Sequence, residues 1–347
     1  MPESSRGNSF NSPPALFGTQ AIDQAICGIG AGCVSVLCMH PLDLLKVKFQ
    51  VSTKDTKLNN QKRLKILTSL HDIIRNDGWK GLYRGLGPNM LGNTSSWGLY
   101  FLWYSIIKNK MSLSNVEEEK SRKLSASEHL LASATSGMIT AMMTNPLWVI
   151  KTRMFTSQLD DQNSYKNVLD GLKRINKEEG FRGLWKGSIL ALIGVSNGAI
   201  HFMIYEELKK WRQEVNYNKK IKEIHNNHDL LKDNDLTTLS NLEYVGLSGI
   251  AKLSAISITY PYQVIRSRLQ SQLYINPTNI NKSIINNKTH YHSIPHCISQ
   301  TYYNEGIKAF YKGLGTNAIR VLPGTCVTFL VYENLSNWFK DLALKNS

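Results

Sequence analysis

Three cations, Lys46, Lys151 and Arg266, each stand five residues after a proline, Pro41, Pro146 and Pro261. Each is followed two residues later by a second cation: Lys48, Arg153 and Arg268. The stretches read "HPLDLLKVKF", "NPLWVIKTRM" and "YPYQVIRSRL". Residues two and five after a proline lie three apart and share one face of a helix. The chemistry open to such a set is electrostatic latching, in which an acid at +2 on one helix pairs with a base at +5 on another. Only Asp43 is acidic at +2, since Trp148 and Gln263 hold the other two places, so three cations face one carboxylate.

The remaining chemistry-bearing residues argue against catalysis. No glycine-rich phosphate loop follows a strand, no cluster has metal-ligand spacing, and no nucleophile stands with a base. The five cysteines, Cys27, Cys33, Cys38, Cys297 and Cys326, contain no CxxC pair and read as small buried hydrophobes. A net charge of +15 over 347 residues directs the chain toward anions, whether nucleic acid, acidic lipid or an anionic small molecule.

The elements that must position these residues come in triplicate. Behind each proline motif lies a second one, "DGWKGLYRG", "EGFRGLWKG" and "EGIKAFYKG", ending at Gly85, Gly187 and Gly313. Two motifs in three copies make a tandem repeat, and a repeat decides the fold. Apolar or small-residue segments cover roughly 21–50, 86–108, 128–154, 188–211, 243–269 and 314–339, each long enough for the about 20 residues that a bilayer requires. Gly, Ser, Thr and Asn interrupt them, as suits helices with one face toward a watery cavity. Short amphipathic helices are expected near 65–76, 165–178 and 292–304. The expected organisation is a flexible tail (1–20), repeat 1 (21–112), repeat 2 (127–213), a polar linker (214–241) and repeat 3 (242–342). The tail has neither a secretory apolar core nor an Arg-rich transit pattern.

These motifs resemble the signature of the mitochondrial carrier family, and the resemblance spans about residues 20–340. It implies an all-α membrane fold: six transmembrane helices as a pseudo-threefold barrel, with three short matrix helices, in the mitochondrial inner membrane. It also implies alternating access to one central site. Proline removes an N–H and clashes with the preceding turn, so Pro41, Pro146 and Pro261 are expected to kink three helices together at one mouth. By the family's neighbour order Asp43 pairs with Lys151, Gln263 faces Lys46, and Trp148 faces Arg266 in a cation–π contact of roughly 0.5–2 kcal/mol. A lipid-interface anchor is the plainer role for Trp148. Gln50 and Gln270 are expected to brace this matrix gate. At the opposite, cytoplasmic gate the resemblance points to Lys108, Glu206, Lys209 and Glu333, with Glu333 and Lys108 forming a cross-helix pair.

Substrate contacts in the family lie two turns above each motif glycine. Here these are Gly92 with Asn93, Gly194 with Val195, and Arg320. A small residue there admits a flat ring, and it serves close helix packing equally well. Lys252 lies nine residues before Pro261, where its counterparts are Gly32 and Gly137. A lysine that deep in a span is a functional candidate, which with Arg320 would clamp a pyrophosphate or paired carboxylates. Trp97 and His201 would stack on or hydrogen-bond a flat heterocycle.

"NPLWVIKTR", "SWGLYF" and "GVSNGA" look like the branch carrying folate, FAD, NAD and pyrimidine nucleotides, and most like its fungal FAD transporters. That likeness implies FAD as cargo with no cofactor, cardiolipin or another acidic phospholipid at the matrix helices, no nucleic acid, and a monomer. A carrier-fold adaptor or an uncoupler without transport is the competing class. Lys252→Met is expected to abolish uptake while leaving membrane insertion intact, as read by proteoliposome uptake beside alkaline extraction.

Overall fold

The structure is a computed structural model and describes residues 20–52, 64–113, 125–157, 164–227, 239–272, 291 and 293–346. The described elements are all helical. They are α1 (Gln20–Val51), α2 (Leu64–Leu82), α3 (Leu86–Leu113), α4 (Ala126–Thr156), α5 (Val168–Glu179), the single turn α6 (Phe181–Leu184), α7 (Ser188–Asn227), α8 (Asn241–Gln270), α9 (Ile294–Glu305) and α10 (Leu314–Asn346). Long helices α1, α4 and α8 run unbroken through Pro41, Pro146 and Pro261. Each is followed by a short helix and then a second long one, so the threefold pattern of the sequence is the pattern of the elements.

Local chemistry sets the boundaries. Helices α4 and α8 both begin with a reciprocal capping box, Ser125 with Glu128 and Ser240 with Glu243. Asn167 and Ser293 cap the short helices α5 and α9. Each short helix ends at a glycine, Gly78, Gly180 or Gly306, with φ between 67° and 72°. At Gly180 the accompanying ψ of −173° places the residue in a region essentially reserved for glycine. That is why the acid-glycine pair recurs in all three copies.

The chain divides into two compact units, residues 1–40 with 320–347, and residues 41–319. In the first, Ser35 Oγ donates to the Gly324 carbonyl at 3.1 Å. A Cβ on Gly30 would stand 2.9 Å from Leu335 Cδ1, so glycine is what lets α1 and α10 approach there. In the second unit α3 packs along α4 and α7 along α8, joining successive repeats. Three small cores recur where the residues three and four past each proline meet a short helix. Leu44 and Leu45 pack with Ile73, Val149 and Ile150 with Ile175, and Ile265 with Cys297. Burial pushes the Cys297 thiol up to about 11, so it stays protonated and packs as an apolar group.

Outside these cores the distribution of side chains is inverted relative to a water-soluble bundle. Large apolar residues such as Leu102, Leu131, Phe202, Ile258 and Leu330 are exposed, while His40, Gln50, Asn89, Asn145 and Gln270 are buried. An extended apolar exterior around a polar interior is the arrangement suited to hydrocarbon surroundings. Among the described residues three stretches are long and apolar enough to cross a membrane by composition alone: Asp23–Val51, Phe181–Lys219 and Ile307–Leu344. Helices α3, α4 and α8, of 28, 31 and 30 residues, are also long enough to span a bilayer, though they are not among these three stretches.

Two expectations need correction. Cys38 and Cys326 are exposed and Cys33 is half-buried rather than all being buried, because no described residue covers them. The short helix of repeat 1 breaks at Gly78, as expected from an end near residue 76, and a further turn runs on to Leu82. The polar linker 214–241 is helical as far as Asn227, because α7 continues through Glu- and Lys-rich sequence with high helix propensity. Residues 228–238 of that linker, the tail 1–19, and Lys54, Lys57, Lys62 and Arg63 lie outside the described residues.

Each odd helix of the later repeats is tied to its short helix by a buried ion pair. Arg153 Nη1 and Nη2 donate to the two Glu179 oxygens at 2.5 and 3.0 Å, and Arg268 does the same to Glu305 at 2.6 and 2.9 Å. Lys186 joins Glu179 at 2.6 Å, and Lys312 joins Glu305. Burial opposes ionisation of both carboxyls, but the paired cations outweigh it and hold both below the ordinary glutamate range. Removing one partner of such a pair costs about 3–5 kcal/mol, so Arg153→Ala or Arg268→Ala is expected to lower the thermal midpoint of the purified protein sharply. Because the folded-state values are depressed, this stabilisation is complete above the unfolded glutamate value of about 4.3. It is lost as pH falls through the lower folded values. Glu179→Gln with Glu305→Gln is therefore expected to flatten the acid limb of a thermal-midpoint profile.

Candidate functional site

The residues singled out by spacing converge at the proline-proximal end of the second unit, where the three repeats interlock in order. A Cβ on Gly85 would stand 2.8 Å from the Phe155 ring of repeat 2. One on Gly187 would stand 3.2 Å from Gln270 Cγ of repeat 3, and one on Gly313 would stand 3.0 Å from the Lys46 carbonyl of repeat 1. All three glycines have positive φ, so they supply both the turn and the close approach. The cycle of contacts brings residues five to nine past the proline of each odd helix against the motif glycine of the preceding repeat.

Gate residues are joined as follows. Lys46 Nζ donates to Gln263 Oε1 at 3.3 Å. The Asn89 amide donates to Asp43 Oδ2 at 3.5 Å, and the Asn93 amide donates to Asn89 Oδ1 at 2.9 Å, so a polar chain rises one turn along α3 from Asp43. Asn89 is fully buried and escaped the sequence reading. Its signal was available, because Asn317 holds the same place after Gly313.

Trp148 departs from its expected partner. The cation over its ring is Lys151, with Nζ 4.6 Å from the centroid, rather than Arg266. Lys151 follows Trp148 by one helical turn, and a same-helix cation reaches the ring at less conformational cost than one from another helix. The indole Nε1 donates to Thr144 Oγ1 at 3.3 Å. The other face of the problem is Gly92, where a Cβ would meet Trp148 ring atoms at 3.6 to 3.7 Å. A similar arrangement holds at Gly194, where a Cβ would stand 3.1 Å from the Tyr262 hydroxyl. Both glycine slots therefore face an aromatic side chain of the following repeat.

The glutamines also brace, though on different groups from those expected. Gln50 Nε2 donates to the Tyr260 hydroxyl at 3.2 Å and its Oε1 accepts from Ser267 at 2.7 Å. Gln270 Nε2 donates to Asn145 Oδ1 at 3.3 Å and its Oε1 accepts from Thr152 at 3.2 Å. The partners Tyr260 and Asn145 directly precede the prolines instead of standing at +2 or +5. A glutamine nine residues along the neighbouring helix reaches that depth and no further.

Higher in the unit Val195 packs against Gly137, since a Cβ there would be 3.2 Å from Val195 Cγ1. Asn197 donates to Thr259 Oγ1 at 2.7 Å. Both residues thus serve contacts between helices. His201 lies within electrostatic reach of Lys252, and no hydrogen-bond partner reaches its enclosed Nε2 among the described residues. Trp97 is exposed and stacks on Phe101 with centroids 5.8 Å apart, at the start of a series of aromatic contacts through Tyr100 and Tyr104 to His129. At the far end Glu206 pairs with Lys209 of its own helix at 3.9 Å, and Lys108 is exposed. Arg320 and Glu333 belong to the first unit, the former half-buried and the latter exposed. Among the described residues no three His, Cys, Asp or Glu side chains group to hold a metal ion.

Trp148→Phe preserves a ring beside Gly92 and under Lys151 but loses the bond to Thr144. Transport by this variant is expected to exceed that of Trp148→Ala by about tenfold, given roughly 0.5–2 kcal/mol for the cation–π contact. Initial rates in liposomes check this, and equal rates would remove the ring from the mechanism.

Comparison with known proteins agrees with this geometry. The family model described as mitochondrial carrier protein matches residues 18–115, 122–216 and 237–342. The mitochondrial FAD carrier protein of Saccharomyces cerevisiae is 33% identical over 329 residues, 90% of this chain and 96% of the relative. Folate transporter 1, chloroplastic, of Arabidopsis thaliana is 35% identical over 92% of this chain and 96% of its own length. Nicotinamide adenine dinucleotide transporter 2, mitochondrial, of the same plant is 33% identical over 91% of this chain and 79% of its own. With every repeat matched and relatives aligned nearly end to end, the chain belongs to the mitochondrial carrier family and is a membrane transporter, not an enzyme.

Proposed function

We propose that this carrier moves FAD, or a closely related flavin nucleotide, across the mitochondrial inner membrane by alternating access. The observation that carries the reading is the pair of glycine slots. At Gly92 an added Cβ would just touch the Trp148 ring at 3.6 to 3.7 Å, so the ring faces the bare backbone across a gap about one methyl group deep. A flat heterocycle has the thickness to use the same surface. The surrounding cations suit the anionic remainder of such a molecule. The whole-length likeness to an FAD carrier supports the same reading.

In this reading Gly92, Asn93, Trp97, Gly194, His201, Lys252 and Arg320 receive the substrate, with Val195 shaping the wall beside Gly194. Asp43 pairs with Lys151 when the matrix side closes, while Lys46 keeps its bond to Gln263. Glu206 with Lys209 helps to close the opposite side. Both gates are electrostatically weak, so a modest difference in substrate affinity between the two states suffices to move the carrier. The carrier works as a monomer, with acidic phospholipid such as cardiolipin seated at the short helices.

The second reading is folate, NAD or a pyrimidine nucleotide as cargo, and relatives carrying folate and NAD in their names favour it. Uptake of labelled FAD into liposomes bearing the purified protein tests both. Unlabelled FAD is expected to suppress uptake more strongly than folate, NAD or UTP. Stronger suppression by one of these would transfer the assignment to it, and no uptake of any of them would leave a carrier fold without transport.

A further inference from the structure

Of the three cations that follow the prolines by five residues, two have partners of known geometry. Lys46 donates to Gln263, and Lys151 lies against the Trp148 and Phe155 rings at 4.6 and 5.3 Å. Arg266 differs. Among the described residues its guanidinium makes no hydrogen bond or ion pair, and its Nε is enclosed without a partner. The aliphatic stem lies beside Gly187, where a Cβ would stand 3.4 Å from Arg266 Cγ. The +2 position expected to face it is Trp148, and the +2 position of its own helix is Gln263, so the motif offers it no carboxylate.

A half-buried guanidinium whose Nε is enclosed without a partner is unfavourable, and charge taken out of water is normally met by a pairing group. The +2 and +5 positions of the three motifs carry three cations against one carboxylate, Asp43, a surplus of two positive charges. We propose that Arg266 is an anion-binding residue, and that a phosphate or carboxylate of the transported molecule is the counter-ion which the motif omits. The inference rests on the reading that the cargo joins a flat heterocycle to an anionic group. It goes beyond that reading by assigning Arg266 to the substrate instead of the latch, and by orienting the cargo with its anionic part toward the proline-proximal end. A dianionic bridge such as pyrophosphate matches the surplus in charge, and a neutral flavin without phosphate does not. Guanidinium suits this task because its planar donors engage two oxygens together.

Thermal unfolding of the full chain in detergent, with inorganic pyrophosphate as the probe, tests the binding without assuming the cargo. The wild-type midpoint is expected to rise with pyrophosphate. Arg266→Gln is expected to lose that rise and Arg266→Lys to keep part of it, while Lys308→Gln, an exposed cation elsewhere, keeps all of it. An unchanged rise in Arg266→Gln, or none in the wild type, overturns the proposal. In liposomes Arg266→Lys is expected to raise the KM for FAD by about ten- to hundredfold, the effect of weakening a charge-assisted contact, with a smaller change in kcat. A change in kcat alone would return Arg266 to the latch. If the wild type protects with pyrophosphate through Arg266 yet carries no FAD, the cargo assignment fails and the anion site stands.

Discussion

The buried arginine–glutamate pairs are the interaction on which the rest of this structure depends. Arg153 and Arg268 each engage a glutamate on the short helix of their own repeat, and with Nε each reaches the backbone of the next repeat. Arg153 donates to the Gln270 carbonyl at 3.1 Å and Arg268 to the Gln50 carbonyl at 3.0 Å. One side chain thereby fixes the long helix to the short one and the short one to its neighbour. The planar donor set makes this possible, since a lysine ammonium in the same place has neither the reach nor the fixed fork.

Repeat 1 shows what happens when that side chain changes. Lys48, Asp77 and Arg84 occupy the three corresponding places, and the Arg84 guanidinium turns to Ser157 Oγ of repeat 2 at 2.9 Å. The junction between repeats 1 and 2 is thus made by a different pair of positions from the other two, with Phe155 seated against Gly85. At +9 the same substitution is visible, because repeat 2 has Phe155 where the others have Gln50 and Gln270. The interlock is threefold in backbone and only twofold in its polar chemistry.

Weak latching and substrate recognition are consequences of the same substitutions. Replacing acids by Trp148 and Gln263 removes two possible ion pairs, leaving cations whose compensation comes from an aromatic face and an amide oxygen. A carrier arranged this way has a low electrostatic barrier at the proline-proximal mouth and a positive field directed into it. The same tryptophan faces Gly92 across about the depth of one methyl group, which sets the latch position of repeat 2 beside the substrate position of repeat 1.

Much of the fold was legible before any coordinates. The prolines, the acid-glycine pairs and the motif glycines report backbone requirements that no tertiary contact can relax, namely a missing N–H or a positive φ. Six apolar segments and three short helices followed from spacing alone, and the family from the motifs. The site was legible in position but not in partnership. Gln263 could be paired with Lys46 from the register of the repeats, yet Trp148 could not be assigned to Lys151, nor Gln50 to Tyr260, because a side chain three or nine residues along a helix has several neighbours within reach. Rotamers and interhelical distance choose among them, and those arise only when the helices are packed. The sequence by itself therefore determined three copies of a proline-bearing helix pair and the charges that follow each proline. Only the tertiary structure decided which aromatic lay on which glycine and which cation was left facing no acid, because contact depends on how closely the backbones approach.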